Sequence, residues 1–155
     1  MEIQEIMQPN VYCAGAEMAV KDLYLALLAN EITGAPVLDE NDYLVGVVSM
    51  VDVARCAAGK IGPGKVDYHS HPKASSGTEL EHSSNLDDKT VGDIMTPCIH
   101  QVSMTSSIEE ALDIVLEEDI HRVVVTHRGH VVGIVTAGDM LRAFREMLRE
   151  RSGQQ

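Results

Sequence analysis

The sequence predicts an α/β (α+β) fold built from two β-α-β-β-α repeats, and three observations support this prediction. Of the 155 residues, 45% are apolar and only 3% are aromatic, so the core must consist of aliphatic side chains, which suit sheets covered by helices. Four blocks of sequence recur at a nearly constant spacing. Within each copy, short apolar runs alternate with stretches of helical periodicity.

The duplication is visible in the register of these blocks. Ile6-Met7-Gln8-Pro9 reappears as Ile94-Met95-Thr96-Pro97, 88 residues later. The block Leu44–Asp52 matches Val131–Asp139 at a spacing of 87. A register kept over half of the chain indicates an internal repeat.

Each copy is expected to contain the same elements in the same order. Ser106 as N-cap with Glu109 three residues later predicts the start of a helix. Polar residues at 39–42 and 128–130 predict the turns of two hairpins. The predicted elements are Val11–Ala14, Met18–Asn30, Ala35–Leu38, Leu44–Ser49 and a helix from about Asp52, then Ile99–Ser103, Ser107–Glu118, Arg122–Thr126, Val131–Thr136 and a helix from about Asp139.

These elements define the domain organisation. Residues 1–57 form the first repeat and residues 91–150 the second, with a short tail at 151–155. Residues 58–90 are rich in Gly, Ser, Pro, Lys and His and lack apolar periodicity. We interpret them as a flexible insertion with at most one short helical turn.

Composition excludes several classes of function. The net charge of −12 repels polyanions, so a nucleic acid partner is not expected. The chain has no signal-like start and no run of eighteen apolar residues, and its three cysteines are widely spaced, so we expect a soluble, cytoplasmic protein without a membrane partner. His69, His71 and His82 lack the cysteines or spaced carboxylates of a metal set, so no metal site is predicted. We find no acid/base or nucleophile set that predicts an enzyme.

The ordered motifs resemble those of the CBS (cystathionine β-synthase) domain family. They are Gly34–Val37 and Leu44–Asp52 in the first copy, and Asp93–Pro97, Ser107–Leu112 and Val132–Asp139 in the second. The resemblance covers nearly everything except the insertion, and it identifies a stand-alone pair of CBS repeats. It implies that the repeats pack about a pseudo-twofold axis and leave two clefts. It also implies that these clefts bind an adenosine-containing ligand, such as AMP, ADP, ATP or S-adenosylmethionine, as a regulatory ligand and not as a catalytic cofactor.

Two Ser/Thr-x-x-Asp motifs stand where a strand is followed by a helix: Ser49 with Asp52, and Thr136 with Asp139. Such a pair forms a capping box. A helix N-terminus also attracts phosphate, and the resemblance assigns the hydroxyl to a phosphate oxygen and the carboxylate to the ribose hydroxyls. Both interpretations are compatible.

The second copy also carries a pair of cations. His121-Arg122-Val123 resembles a repeat of the γ subunit of AMP-activated protein kinase, in which the His-Arg pair faces nucleotide phosphates. The first copy has Thr33 and Gly34 at these positions, so the two clefts differ chemically, and the arginine could serve either of them. The remaining candidate ligand-binding residues are Gly34, Ala35, Pro36 and Val123.

The sequence therefore predicts a regulatory module that senses an adenosyl ligand. The alternative is a ligand-free scaffold that regulates a partner through its helices. Amphipathic helices that a unit this small leaves uncovered predict a homodimer, and an effector protein is a further expected partner.

Overall fold

The structure is a computed structural model that describes residues 1–59, 85–97 and 100–153, and it contains helices and two small three-stranded sheets. The predicted α/β (α+β) class is confirmed. The chain divides into two compact units. We call Tyr12–Ile99 the central unit, and Met1–Val11 together with His100–Gln155 the terminal unit. Most of the predicted insertion, residues 60–84, lies outside the described residues.

The central unit contains β1 (Ala14–Gly15), α1 (Val20–Ala29), β2 (Gly34–Leu38), β3 (Leu44–Ser49), α2 (Met50–Ala57), α3 (Asn85–Asp88) and α4 (Val91–Ile94). β2 is the middle strand of the sheet, parallel to β1 and antiparallel to β3. The predicted polar turn joins β2 to β3. In it the Asp39 carboxylate accepts hydrogen bonds from the N–H groups of Asn41 and Tyr43, at 2.8 and 3.0 Å, as aspartate commonly does in turns.

The terminal unit contains a 3₁₀ helix (Ile3–Glu5), β4 (Gln101–Ser103), α5 (Ile108–Glu117), β5 (Arg122–His127), β6 (His130–Thr136) and α6 (Ala137–Gly153). Its sheet repeats the pattern of the first, with β5 parallel to β4 and antiparallel to β6. Arg128 and Gly129 join β5 to β6 with φ of 52° and 83°, the left-handed pair that a tight hairpin turn requires.

Each unit has its own aliphatic core. α1 buries Val20, Leu23 and Leu27 at helical spacing, and α5 buries Ile108, Ala111 and Val115 in the same way. Tyr24 is the one aromatic side chain among the buried residues that the structure describes. In the central unit α3 adds Leu86, which is fully buried, so the end of the predicted insertion contributes to the core.

The segment that precedes the first strand of each repeat pairs with the sheet of the other repeat. The N–H and C=O of Gln8 bond to those of Ile134 at 2.7 and 3.0 Å, and Thr96 and Val47 do the same at 2.9 and 2.8 Å. The compact units are therefore not the two sequence repeats. Each unit combines most of one repeat with the leading segment of the other.

Glycine permits this close approach. A Cβ atom on Gly46 would lie 2.7 Å from both the Met95 sulfur and the Thr96 carbonyl oxygen. On Gly133 it would lie 2.7 Å from the Met7 sulfur and 2.9 Å from the Gln8 carbonyl oxygen. Only a residue without a side chain allows the segments to pack on the strands at this distance.

Two details of the sequence analysis are wrong. The N-cap of α5 is Ser107, whose hydroxyl accepts the Glu110 N–H at 3.2 Å, and not Ser106. The Ser106 N–H bonds to the Ser103 carbonyl in the preceding turn at 3.0 Å, which moves the helix start by one residue. The first strand is Ala14–Gly15 and not Val11–Ala14, since the chain turns at Asn10 with φ of 60°.

Candidate functional site

In the central unit, the end of β3 and the start of α2 form a closed box. The Asp52 carboxylate accepts the Ser49 N–H at 2.8 Å and the Ser49 hydroxyl at 3.2 Å, and the Asp52 N–H points back to Ser49 Oγ at 3.4 Å. Ser49 is fully buried and Asp52 is 6% exposed. The capping-box interpretation of this motif is confirmed by these contacts.

The terminal unit contains the same box between β6 and α6. The Asp139 carboxylate accepts the Thr136 N–H at 2.9 Å and the Thr136 hydroxyl at 2.7 Å. Two further side chains donate to it. The Gln8 amide lies 3.2 and 3.1 Å from its two oxygens, and the Arg142 guanidinium lies 2.5 Å from Oδ1.

These donors control the charge of Asp139. Burial raises the pKa of this carboxyl, but hydrogen bonds from Thr136, Arg142 and Gln8 stabilise the ionised form. Their combined effect exceeds that of burial, and the pKa of Asp139 lies below its ordinary value. The terminal unit thus holds a buried, negatively charged oxygen pair at the N-terminus of a 17-residue helix.

Strand pairing brings the predicted cations to this box. Arg122 lies opposite Thr136 in the register of β5 and β6, and the His121 carbonyl accepts the Ala137 N–H at 2.9 Å. The His121 side chain is exposed and that of Arg122 is half-buried. Within the terminal unit, Arg122 and the backbone carbonyl of His121 therefore border this box.

The central unit has the same backbone arrangement without the cations. Gly34 lies opposite Ser49, and the Thr33 carbonyl accepts the Met50 N–H at 2.8 Å. The difference between the two boxes that was predicted from the sequence is thus a difference in side chains on equivalent backbones.

The other candidate residues line the cores of their units. Gly34 and Pro36 are buried, and the side chains of Ala35 and Val123 are fully buried in the two hydrophobic clusters. Both Ala35 and Val123 are 0% exposed. Their side chains serve packing.

Sequence reasoning missed Gln8 and Arg142 as neighbours of Asp139. Arg142 is three residues after Asp139 on one helix, a spacing that brings side chains together, so its contact was readable. Gln8 is 131 residues away, and its position follows from the exchange of leading segments between the two repeats.

Other reactive side chains add no second site in the described part of the chain. Burial raises the pKa of the thiols of Cys13 and Cys56. Among the residues that the structure describes, no group of three or more potential ligands could hold a metal ion, and no helix is long and apolar enough to span a membrane. The prediction for His69, His71 and His82 falls outside the described residues, and Cys98 also lies outside them.

Comparison with known proteins agrees with the duplicated architecture. A profile of the CBS domain matches residues 3–59 and 91–146. The chain is 32% identical to the CBS domain-containing protein CBSX2, chloroplastic, of Arabidopsis thaliana over 96% of its own length and 65% of the relative's. It is 35% identical to CBSX1, chloroplastic, of the same plant over 79% and 54% of the two lengths.

The chain thus spans between about half and two thirds of these relatives. A crystal structure of CBSX2 in complex with AMP superimposes with a TM-score of 0.68 at 28% identity, covering 94% of this chain and 97% of that one.

Proposed function

Because this chain belongs to the CBS-domain family, with repeats at residues 3–59 and 91–146, we propose that it is a regulatory module that binds adenosine-containing nucleotides. One observation carries the proposal: each unit ends its sheet in a Ser/Thr-x-x-Asp box whose carboxylate is only 6–7% exposed. The AMP complex of the related CBSX2 supports this ligand class. The cytoplasmic location stays a prediction, since both plant relatives are described as chloroplastic.

The chemistry of the boxes suits a nucleotide. A carboxylate has two acceptor oxygens and can hold both hydroxyls of a ribose diol. The backbone N–H groups at the start of a helix and the positive end of its dipole favour phosphate. Arg122 adds a planar pair of donors that matches phosphate oxygens. A local cation is needed because the chain as a whole carries a net charge of −12.

Calorimetric titration with AMP, ATP and S-adenosylmethionine tests the proposal. Asp52→Ala and Asp139→Ala should each weaken binding by about 1–3 kcal/mol through lost charged hydrogen bonds. Asp93→Ala is the matched control, because Thr90 and Asp93 form a third capping box, with the Thr90 N–H 2.9 Å from the carboxylate. That box is exposed and does not follow a strand, so its loss should leave affinity unchanged. No saturable heat with any of the three compounds at millimolar concentration would refute the proposal.

Arg122 should determine the preference for phosphate. Arg122→Ala should reduce the preference for AMP over adenosine, and added salt should weaken AMP binding to the wild type more than to the variant. If the wild type and the variant have the same ratio of AMP affinity to adenosine affinity, Arg122 does not contribute to phosphate recognition.

We further propose that a second copy of the chain covers the apolar surface between α5 and α6. This surface has a cavity of about 500 Å³, and Leu116, Leu141 and Phe144 are 70%, 68% and 53% exposed. A twofold interface must be complementary to itself. Acidic side chains on α5 (Glu109, Glu110, Asp113 and Glu117) and basic ones on α6 (Arg145 and Arg149) meet this requirement when α5 of one copy faces α6 of the other.

Light scattering at tens of micromolar should give a dimer for the wild type and a monomer for Phe144→Glu. Tyr43→Glu, at an exposed position in the β2–β3 turn, is the control and should remain dimeric. A monomeric wild type would refute the homodimer and would favour the scaffold alternative, in which an effector protein covers this surface.

A further inference from the structure

We propose that Gln8 and Arg142 form a latch that occupies the Asp139 carboxylate in place of a ribose diol, so that a nucleotide binds this box only by displacing them. The inference rests on the proposed function and concerns the regulation of the same site. It distinguishes the box of the terminal unit from that of the central unit.

The proposal depends on the number of hydrogen-bond donors around the Asp139 carboxylate. A carboxylate has about four lone-pair sites. At Asp139 four groups fill them: the Thr136 N–H and hydroxyl, the Gln8 amide, and the Arg142 guanidinium. A ribose diol needs two acceptor sites. The two Thr136 donors belong to the box that starts α6, so Gln8 and Arg142 are the donors that must yield.

The latch is built so that it can open. The backbone of Gln8 is fixed beside β6 by its two hydrogen bonds to Ile134, so only its side chain has to rotate. The Arg142 side chain is 61% exposed and can turn into solvent. Neither change disturbs a strand or the core.

The central unit lacks the Gln8 part of this latch. Thr96 takes the place of Gln8 in the repeat, and its hydroxyl is buried without a hydrogen-bond partner among the described residues, so it does not donate to Asp52. Arg55 follows Asp52 by three residues, as Arg142 follows Asp139. The contact of Gln8 with the carboxylate is therefore a property of the terminal unit and not of the repeat.

The experiment isolates the contribution of the ribose diol to the binding affinity. In an Asp52→Asn background, which isolates the box of the terminal unit, the affinities of AMP and of 2′,3′-dideoxy-AMP are measured by calorimetry. Gln8→Ala and Arg142→Ala should each raise the ratio of these affinities about three- to tenfold, as expected when one competing hydrogen bond is removed. Thr96→Ala and Arg55→Ala are the matched controls and should leave the ratio unchanged.

The outcomes are distinguishable. Binding of AMP with an unchanged or lower ratio in both latch variants would overturn the latch and leave the proposed function standing. No binding of AMP to the wild type or to any variant would overturn both. If Gln8→Ala fails to fold, Arg142→Ala still tests the latch, because this substitution truncates an exposed side chain.

Discussion

The central and terminal units share a backbone plan and differ in the side chains placed upon it. Both have a three-stranded sheet, a Ser/Thr-x-x-Asp box at the last strand, and a glycine on which a Met-x-Pro segment packs. They differ in the middle residue of the Met-x-Pro segment, Thr96 or Gln8, and in the strand start, Gly34 or Arg122. The backbone arrangement is thus the same in both copies, while the side chains at these positions have diverged.

The largest effect on the free energy of unfolding should come from substitution of a core residue that only the central unit has. Leu86 is fully buried and lies before the part of the sequence that repeats. Leu86→Ala should lower the free energy of unfolding by about 2–5 kcal/mol, because it leaves a cavity. Asp87→Ala removes only a surface ion pair with Lys21 and should cost less than about 1 kcal/mol. Equal urea midpoints for both variants would show that α3 does not belong to the core.

Substitutions of the glycines test whether the Met-x-Pro segments pack equally closely on the strands of the two units. Gly46→Ala should lower stability by about 1–3 kcal/mol, because the new methyl group overlaps a backbone oxygen. Gly133→Ala should cost less, since its nearest backbone oxygen is 2.9 Å away instead of 2.7 Å. Gly15→Ala is the control, with nothing within 4 Å of the added atom. Denaturation curves in which all three variants match the wild type would contradict the close approach.

Substitutions at the start of α5 should have a smaller effect on stability. Ser107→Ala should cost about 1 kcal/mol through loss of the N-cap, whereas Ser106→Ala should cost much less, because its side chain does not cap the helix. Thermal unfolding of the two variants decides between the observed register and the one predicted from the sequence. The reverse order would restore Ser106 as the cap.

The smallest effect on stability should appear at acidic pH. The folded-state pKa of Asp139 lies below the ordinary 3.8, so its stabilisation is fully present above 3.8 and is lost as the pH falls through the folded value. Asp139→Asn should therefore flatten the decline of stability below pH 3.8. An Asp139→Asn variant that keeps the wild-type slope in denaturant titrations between pH 2 and 5 would refute the stabilisation of the ionised carboxylate by Thr136, Arg142 and Gln8.

The elements were predictable where local patterning decides them. β3 was predicted as Leu44–Ser49 and is found there, because an apolar run ends at a capping residue. The boxes and their place after a strand were also predictable, since both members of each box lie within four residues. The family resemblance came from the order of such motifs, and the profile of the CBS domain supports it.

What was not predictable depends on contacts between distant parts of the chain. β1 exists only through its parallel pairing with Val37 and Leu38, so its bounds could not be read from residues 11–15. Gln8 reaches Asp139 because residues 1–11 fold with residues 100–153. No local signal encodes such an exchange, because its free energy comes from pairing with Ile134 and packing on Gly133.

The exchange of leading segments has a consequence for biosynthesis. The central unit is one continuous stretch and can close when Ile99 leaves the ribosome, whereas the terminal unit is interrupted by it. At a synthesis rate of about 5–20 residues per second, residues 1–11 wait roughly 5–20 s before His100 is even made. During that interval Ile3, which is fully buried in the finished fold, has no sheet to cover it. The half of the protein that carries the proposed latch is therefore the half that a nascent chain must complete last.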